Sequence, residues 1–362
     1  SSLNSDEWEK TKSKIKTRIN ELADRLYALY SERARGKGFA FMPDDELQQS
    51  FEKEFPYQLT YDQEQAVIDI KKDMESEDVM DRLLCGDVGF GKTEVAFRAV
   101  FKAISSGKQV AILCPTTLLA RQHYEVALRR FEAFGIRIAI FSRLVEKSRQ
   151  NSYISAIKAG NIDLIIGTHR LLSNEIEFKN LGLLIVDEEQ RFGVAQKEKI
   201  KELKRNVDVL TLSATPIPRT LQMSLVGMRQ LSQINSAPDE RMPIQTYVTP
   251  YKEDVVDELI QRELQRDGQV FYVYNRVDFI YNKASSLAKR IKDARIGVVH
   301  GQMDREEVED VMSSFYEGKL NVLVCTSIVE NGIDIPNANM IIVENADTFG
   351  LSQLYQIKGR VG

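Results

Sequence analysis

"LLCGDVGFGKTEVAFRAV", residues 83–100, decides the fold. The stretch "DRLLC" before it reads as a buried strand, "GDVGFGKT" as a glycine-rich turn, and "TEVAFRAVFKAI" as a helix. Strand, tight turn and helix in that order form a phosphate cradle, because the turn's amide N–H groups and the helix's positive end point at one anion. Gly86, Gly91, Lys92 and Thr93 fit G-x-x-x-x-G-K-[ST]; Asp87, Val88, Gly89 and Phe90 fill the turn and Glu94 follows it. Lys92 suits the β and γ phosphates, and the Thr93 hydroxyl suits Mg²⁺. A glycine-rich turn without a ligand is the plainer alternative, but the correct flanking elements weigh against it.

"LGLLIVDEEQ", residues 181–190, supplies the second half of a site. The apolar run ends on Asp187 and Glu188, two carboxylates at the carboxyl tip of a buried strand, where open α/β sheets bind ligands. Asp187 is the candidate Mg²⁺ ligand and Glu188 the candidate base for an attacking water. Acidic residues after a strand are often only a solvated turn. Beside a phosphate cradle, the joint reading is a nucleoside triphosphatase.

Outward from these two stretches the chain alternates short apolar runs with helical patterns. "QVAILC" (109–114), "IDLIIGT" (162–168), "LGLLIVD" (181–187) and "VDVLTLSAT" (207–215) read as buried parallel strands covered on both faces. "NSAPDERMPIQ" (235–245), with two prolines and no periodicity, reads as a linker. The texture resumes with "GQVFYVYN" (268–275), "ARIGVVHG" (294–301), "LNVLVCTS" (320–327) and "ANMIIVEN" (338–345). The expected architecture is α/β: two tandem P-loop-type lobes with parallel sheets flanked by helices, over 46–234 and 235–362, the second lacking its final elements. Before them, residues 1–45 hold an amino-terminal helical segment. Ile15, Ile19, Leu22, Leu26 and Leu29 alternate spacings of four and three, one apolar helical stripe stopped near Gly36 and Gly38. That stripe serves either packing on its own protein or contact with a partner.

Bulk composition bounds the function classes. With 362 residues, 43% hydrophobic and 28% charged, the chain has the balance of a globular protein with a proper core. No apolar run is long enough to span a membrane. The net charge of −4 excludes a diffuse polycation but leaves room for a local basic groove. Cys85, Cys114 and Cys325 are far apart and form no CxxC pair, so buried thiols of a cytoplasmic protein are expected. The first residue is Ser1, as in a fragment of something longer.

Several further stretches, read in chain order, resemble the superfamily 2 helicases and translocases. "FPYQLTYDQEQAV" resembles their adenine-reading motif, and "CPTTLLARQ" and "IIGTHRLL" their first-lobe DNA motifs. "LSATPIPRTL" resembles the motif coupling hydrolysis to lobe movement; "VYNRV", "HGQM", "CTSIVENGIDIPNAN" and "QIKGRVG" resemble those of the second lobe. "GDVGFGKTEVAFRA", "DEEQRFGV", "GMRQLS" and "FGLSQLYQIKGRVG" narrow the resemblance to the transcription-coupled-repair branch, with fork-remodelling helicases next.

The resemblance implies an ATP- and Mg²⁺-dependent translocase on double-stranded DNA. RNA polymerase and an excision-repair damage-recognition protein would be partners through regions outside this chain. Gln63 becomes the adenine-reading amide, with Phe55 or Tyr57 as the stacking ring. Gln190 stands where many relatives have His and is expected to link the site to the inter-lobe motif by hydrogen bonding. Gly332 and Asp334 fall near the ribose, and Arg360 near the γ-phosphate. Thr116, Thr117, Arg121, Thr168, His169 and Arg170 are candidate first-lobe contacts to DNA; Asn275, Arg276, Thr326 and Ser327 are their second-lobe counterparts. Short hydroxyl and amide side chains suit backbone phosphates, which position a strand without reading its sequence.

The family's last motif runs on to a second arginine, which the chain does not reach, so ATP binding with weak turnover is expected. A RecG-like fork remodeller and an ATP-gated DNA clamp are the competing readings. A P-loop kinase leaves the second lobe and "SATPIPRT" without explanation.

Overall fold

The computed structural model describes residues 37–143, 145–214, 230–236, 244–326, 335, 337–350, 353–354 and 357. The helix expected over residues 6–34 lies outside them.

The strands of the first lobe are β1 (Asp81–Gly86), β2 (Gln109–Leu113), β3 (Ile138–Phe141), β4 (Leu164–Gly167), β5 (Leu181–Asp187), β6 (Asp208–Ser213) and β7 (Gln230–Ile234). They form one sheet in the order β3-β4-β2-β5-β6-β1-β7, with every neighbouring pair parallel. Parallel neighbours need a crossover. The helices here are α1 (Glu46–Lys53), α2 (Tyr61–Met74), α3 (Lys92–Ser105), α4 (Thr117–Phe131), α5 (Lys147–Ala159) and α6 (Val194–Leu203).

Period-two alternation sends each strand's side chains to two cores. Val110 and Ile112 of β2 join Phe97 of α3 and Phe131 of α4 on one face. Ala111 and Leu113 join Ile157 of α5 and Ile200 of α6 on the other. Burying each such Leu, Ile or Phe contributes about 1.5–3 kcal/mol. The two-sided apolar runs of the sequence are therefore central strands covered by helices on both faces.

The chain joins this lobe from Lys37, ahead of the boundary at 46 read from composition. Gly38 N donates to Glu77 O, Phe41 N donates to Met74 O, and Phe41 is buried in the core. The buried Lys102 ammonium donates to Met42 O and pairs with Asp44 and Glu75. Phe51 of α1, fully buried, stacks on Phe101 at 4.4 Å and lies under the Arg130 guanidinium at 3.7 Å.

The second lobe repeats the plan on a smaller scale. Its strands are β8 (Gln269–Val273), β9 (Ile296–Val299), β10 (Val322–Cys325) and β11 (Ala338–Val343), in the order β11-β8-β10-β9, all parallel. Val256 and Ile260 of α7 (Glu253–Leu264) and Leu287 of α8 (Ile280–Arg290) cover Val270, Tyr272, Val322 and Val324. Met312 and Phe315 of α9 (Arg305–Tyr316) join Phe271, Val273, Leu323 and Cys325 on the opposite face.

The lobes meet along α4 and α9. Arg121 pairs with Glu317, and Tyr316 donates its hydroxyl hydrogen to Glu125 at 2.7 Å. Arg143 faces Glu306, Glu309 and Asp310 at the start of α9, and Arg305 donates to Pro115 O. Burial and the Glu125 carboxylate push the Tyr316 hydroxyl up to about 12, so it stays a donor.

Candidate nucleotide site

β1 and β5 deliver their carboxyl tips on either side of β6, which sets the glycine-rich turn beside the two carboxylates. α3 starts at Lys92, and its N-cap residue, Gly91, offers no side-chain cap to the first amides. Those N–H groups and the helix's positive end are left for an anion. Gly91 has φ +76°, and a Cβ there would collide with the Gln63 amide nitrogen. Only glycine fits this position without strain.

Lys92 bends back over the turn and donates from Nζ to Gly86 O and Asp87 O. Its burial pulls its pKa down, while Asp187, Glu188 and Asp87 act in the opposite direction. The lysine therefore lies within electrostatic reach of both carboxylates. Thr93 is half-buried one residue on. Glu94 is buried and turns away from the cradle, held by Arg98 at 3.0 Å and Arg130 at 2.9 Å.

At the tip of β5, Asp187 is 8% exposed and Glu188 2% exposed. Glu188 adopts φ +49°, a left-handed turn that swings its side chain toward β6. Its Oε1 accepts from Ala214 N at 2.8 Å and Oε2 accepts from the Gln190 amide. Burial raises the Glu188 pKa, Asp187 adds to the rise, and the Ala214, Gln190 and Lys92 interactions oppose it. Glu188 itself thus reaches the "SAT" stretch at Ala214, and Gln190 donates to Glu188. The rest of the inter-lobe motif, to which the sequence reading links Gln190, lies outside the described residues.

The Gln63 amide joins α2 to the turn. Its Oε1 accepts from Thr60 N at 2.8 Å, and its Nε2 donates to Phe90 O at 2.8 Å. Phe55 and Tyr57 meet edge to face at 5.5 Å, with Tyr57 exposed and Arg98 and Arg130 near the Phe55 ring. A small cleft beside the turn is lined by Cys85, Gly86, Asp87, Phe90, Gln233, Ile234 and Asn235. Gln233 and Asn235 are new to the site; Gln233 lies in, and Asn235 just after, the polar edge strand β7, which carried no apolar signal.

His123 is the other residue that sequence reasoning missed. From α4 its Nε2 lies 2.8 Å from Asp187 Oδ2. A lone histidine in a helical pattern carries no local signal, because its partner is 64 residues further on.

The candidate DNA residues divide by exposure. His169, Asn275 and Arg276 are exposed, and Arg170 is half-buried over the Phe141 ring. Thr117 and Thr168 are buried, and Thr116 is buried with its hydroxyl accepting from Leu119 N as the cap of α4. The Thr326 hydroxyl is buried with no hydrogen-bond partner among the described residues. Arg121 is held in the inter-lobe pair with Glu317 and by Glu125 on its own helix. Ser327, Gly332, Asp334 and Arg360 lie outside the described residues.

An anion-binding cradle, a lysine and two carboxylates fit a nucleoside triphosphate with Mg²⁺, which takes one or two protein carboxylates plus phosphate oxygens. Comparison with known proteins agrees. Residues 60–224 match the DEAD/DEAH box helicase model, and residues 251–362 match the helicase conserved C-terminal domain. The chain is 56% identical over 360 residues to the transcription-repair-coupling factor of Bacillus subtilis, covering 99% of this chain and 31% of that protein. The factor of Staphylococcus aureus strain USA300 is 52% identical over the same shares. The chain therefore spans about a third of the length of these relatives. Among solved structures, RecG bound to a three-way DNA junction matches with a TM-score of 0.81 and 36% identity, over 96% of this chain and 48% of that one.

Proposed function

For a chain that belongs to the two-lobed helicases of superfamily 2, we propose the motor core of a transcription-repair-coupling factor: an ATP-driven translocase on double-stranded DNA. The observation that carries it is the junction at Glu188, where one buried carboxylate faces the nucleotide cradle and accepts from Ala214 N at 2.8 Å. A change at the phosphate end thereby acts on the start of the stretch that resembles the coupling motif. RNA polymerase displacement and recruitment of excision repair belong to the whole protein in this reading.

Roles follow from placement. Lys92 leaves the Gly86 and Asp87 carbonyls for the phosphates, and the uncapped amides of α3 hold the same group. Thr93 and Asp187 would hold Mg²⁺, which would supply positive charge against that of the phosphates. Glu188, its basicity raised by burial, orients a water and takes its proton. Gln190 steadies the Glu188 oxygen distal to Ala214. Gln63 couples the adenine side to the turn through Phe90, and the α4–α9 interface carries lobe closure. Residues 46–234, with the segment from Lys37 packed on them, and residues 235–362 act as the two lobes, with Arg360 reaching the γ-phosphate from the second.

The exposed His169, Asn275 and Arg276 are the first choice for backbone contacts with DNA. Phosphate contacts give affinity that falls steeply with salt and ignores sequence. ATP turnover should therefore be measured with and without duplex DNA of unrelated sequences, on this chain and on a form as long as its relatives. Triplex displacement without duplex unwinding supports a translocase; duplex unwinding favours the RecG-like reading; nucleotide binding without stimulated turnover in either form favours a clamp.

A further inference from the structure

Helix α4 touches three parts of the molecule that a motor cycle has to connect. Its cap, Thr116, closes the loop that begins at Pro115, one of the stretches read as a first-lobe DNA motif. One side of the helix is gripped by the second lobe, through Arg121 with Glu317 and Glu125 with Tyr316. Arg121 and Glu125 are one turn apart and share that side. Residue 123 falls about half a turn from both, on the opposite side. There the His123 ring, 11% exposed, meets the Asp187 carboxylate, also 11% exposed, at 2.8 Å.

A carboxylate that would hold a metal through one oxygen still has a free choice of rotamer. A hydrogen bond to its other oxygen removes that choice, and partners of this kind behind a metal ligand set its orientation. An ionised carboxylate only accepts, so the hydrogen sits on the imidazole Nε2.

We propose that His123 is a positioning residue: it donates from Nε2 to Asp187 Oδ2, leaves Oδ1 for the metal, and makes the setting of Asp187 depend on α4. Contact between the lobes, which is made on the far side of the same helix, thereby reaches the metal-holding carboxylate. The inference rests on the reading of Asp187 as a Mg²⁺ ligand.

The test is the Mg²⁺ dependence of binding of a fluorescent ADP, with metal-free ADP affinity and thermal midpoint measured alongside. His123→Ala should raise the Mg²⁺ concentration at half-saturation about tenfold or more with metal-free affinity unchanged. His123→Gln, which keeps an N–H donor of similar reach, should restore most of it. Glu317→Ala, on the second lobe, should shift the same reading in the wild type and shift it far less in the His123→Ala background.

A merely structural histidine would lower the thermal midpoint in both His123 variants and leave the Mg²⁺ half-saturation alone, which overturns the proposal. Additive effects of Glu317→Ala and His123→Ala overturn the transmission through α4. Asp187→Ala separates the two layers. If it keeps wild-type Mg²⁺ dependence, the reading of the nucleotide site fails. If it loses that dependence while His123→Ala keeps it, only the present inference fails.

Discussion

Glu188 and Ala214 are 26 residues apart in the chain, and the carboxylate of one accepts the backbone N–H of the other at 2.8 Å. The bond joins the tip of β5 to the end of β6. The carboxylate proposed to deprotonate water is thus also tied to the end of β6. In the proposed motor, this shared side chain couples hydrolysis to movement.

Lys92→Ala removes the cation that the cradle directs at phosphate. Charge-assisted hydrogen bonds contribute about 1.5–3 kcal/mol each. Nucleotide affinity should fall at least tenfold in equilibrium binding, with the thermal midpoint of the ligand-free protein nearly unchanged. Wild-type affinity would remove Lys92 from the site.

Gly91→Ala tests the turn. The φ of +76° costs an L-residue about 1–2 kcal/mol, and the added methyl also meets the Gln63 amide. Calorimetry should show a lower melting temperature together with weaker nucleotide binding, because Gln63 loses its bond to Phe90 O. An unchanged melting temperature would contradict the geometry.

Asp208 governs a pH dependence at the far end of the sheet. Burial lifts its carboxyl from 3.8 to about 8, against the hydrogen bond from Met80 N. The folded chain therefore keeps a proton between those values that the unfolded chain releases, and stability falls as pH rises through that window. Asp208→Asn keeps an oxygen for Met80 N and has no proton to lose. Its melting temperature, relative to the wild type, should climb between about pH 4 and pH 8. Parallel melting curves for the two proteins would show that Asp208 ionises freely.

Arg143→Glu places like charges against Glu306, Glu309 and Asp310 across the lobe interface. The pairs with the exposed Glu306 and Asp310 contribute only about 0–1 kcal/mol each, so the fold should survive while the lobes separate more readily. Energy transfer between dyes on the two lobes should drop at low salt. The difference from wild type should shrink near roughly 1 M salt, where screening acts within about 3 Å.

The nucleotide half of the site was legible because its signals are local: the glycine spacing before Lys92, and the apolar run ending at Asp187. The central strands were legible for the same reason, since burial on both faces leaves continuous apolar runs. Two edge strands were not. β3 is four residues long with alternating burial, and β7, "QLSQI", carries polar residues on its outer side. An edge strand pairs on one side only and needs no unbroken apolar run. Long-range partners were equally silent. His123 reads as an ordinary helical residue until β5 brings Asp187 beside it. The pairing of Arg121 with Glu317 at the end of α9 is invisible until the second lobe is placed. The bond from Gln190 to Glu188 likewise leaves no mark in the sequence.

The most direct measurement is ATP turnover in the presence of duplex DNA by the wild type and by Glu188→Gln, on a form as long as the relatives. The expected result is DNA-stimulated turnover in the wild type, and a loss of about a hundredfold or more in the variant with nucleotide still tightly bound. Equal turnover in the two proteins, or turnover indifferent to DNA, would contradict a motor driven through Glu188.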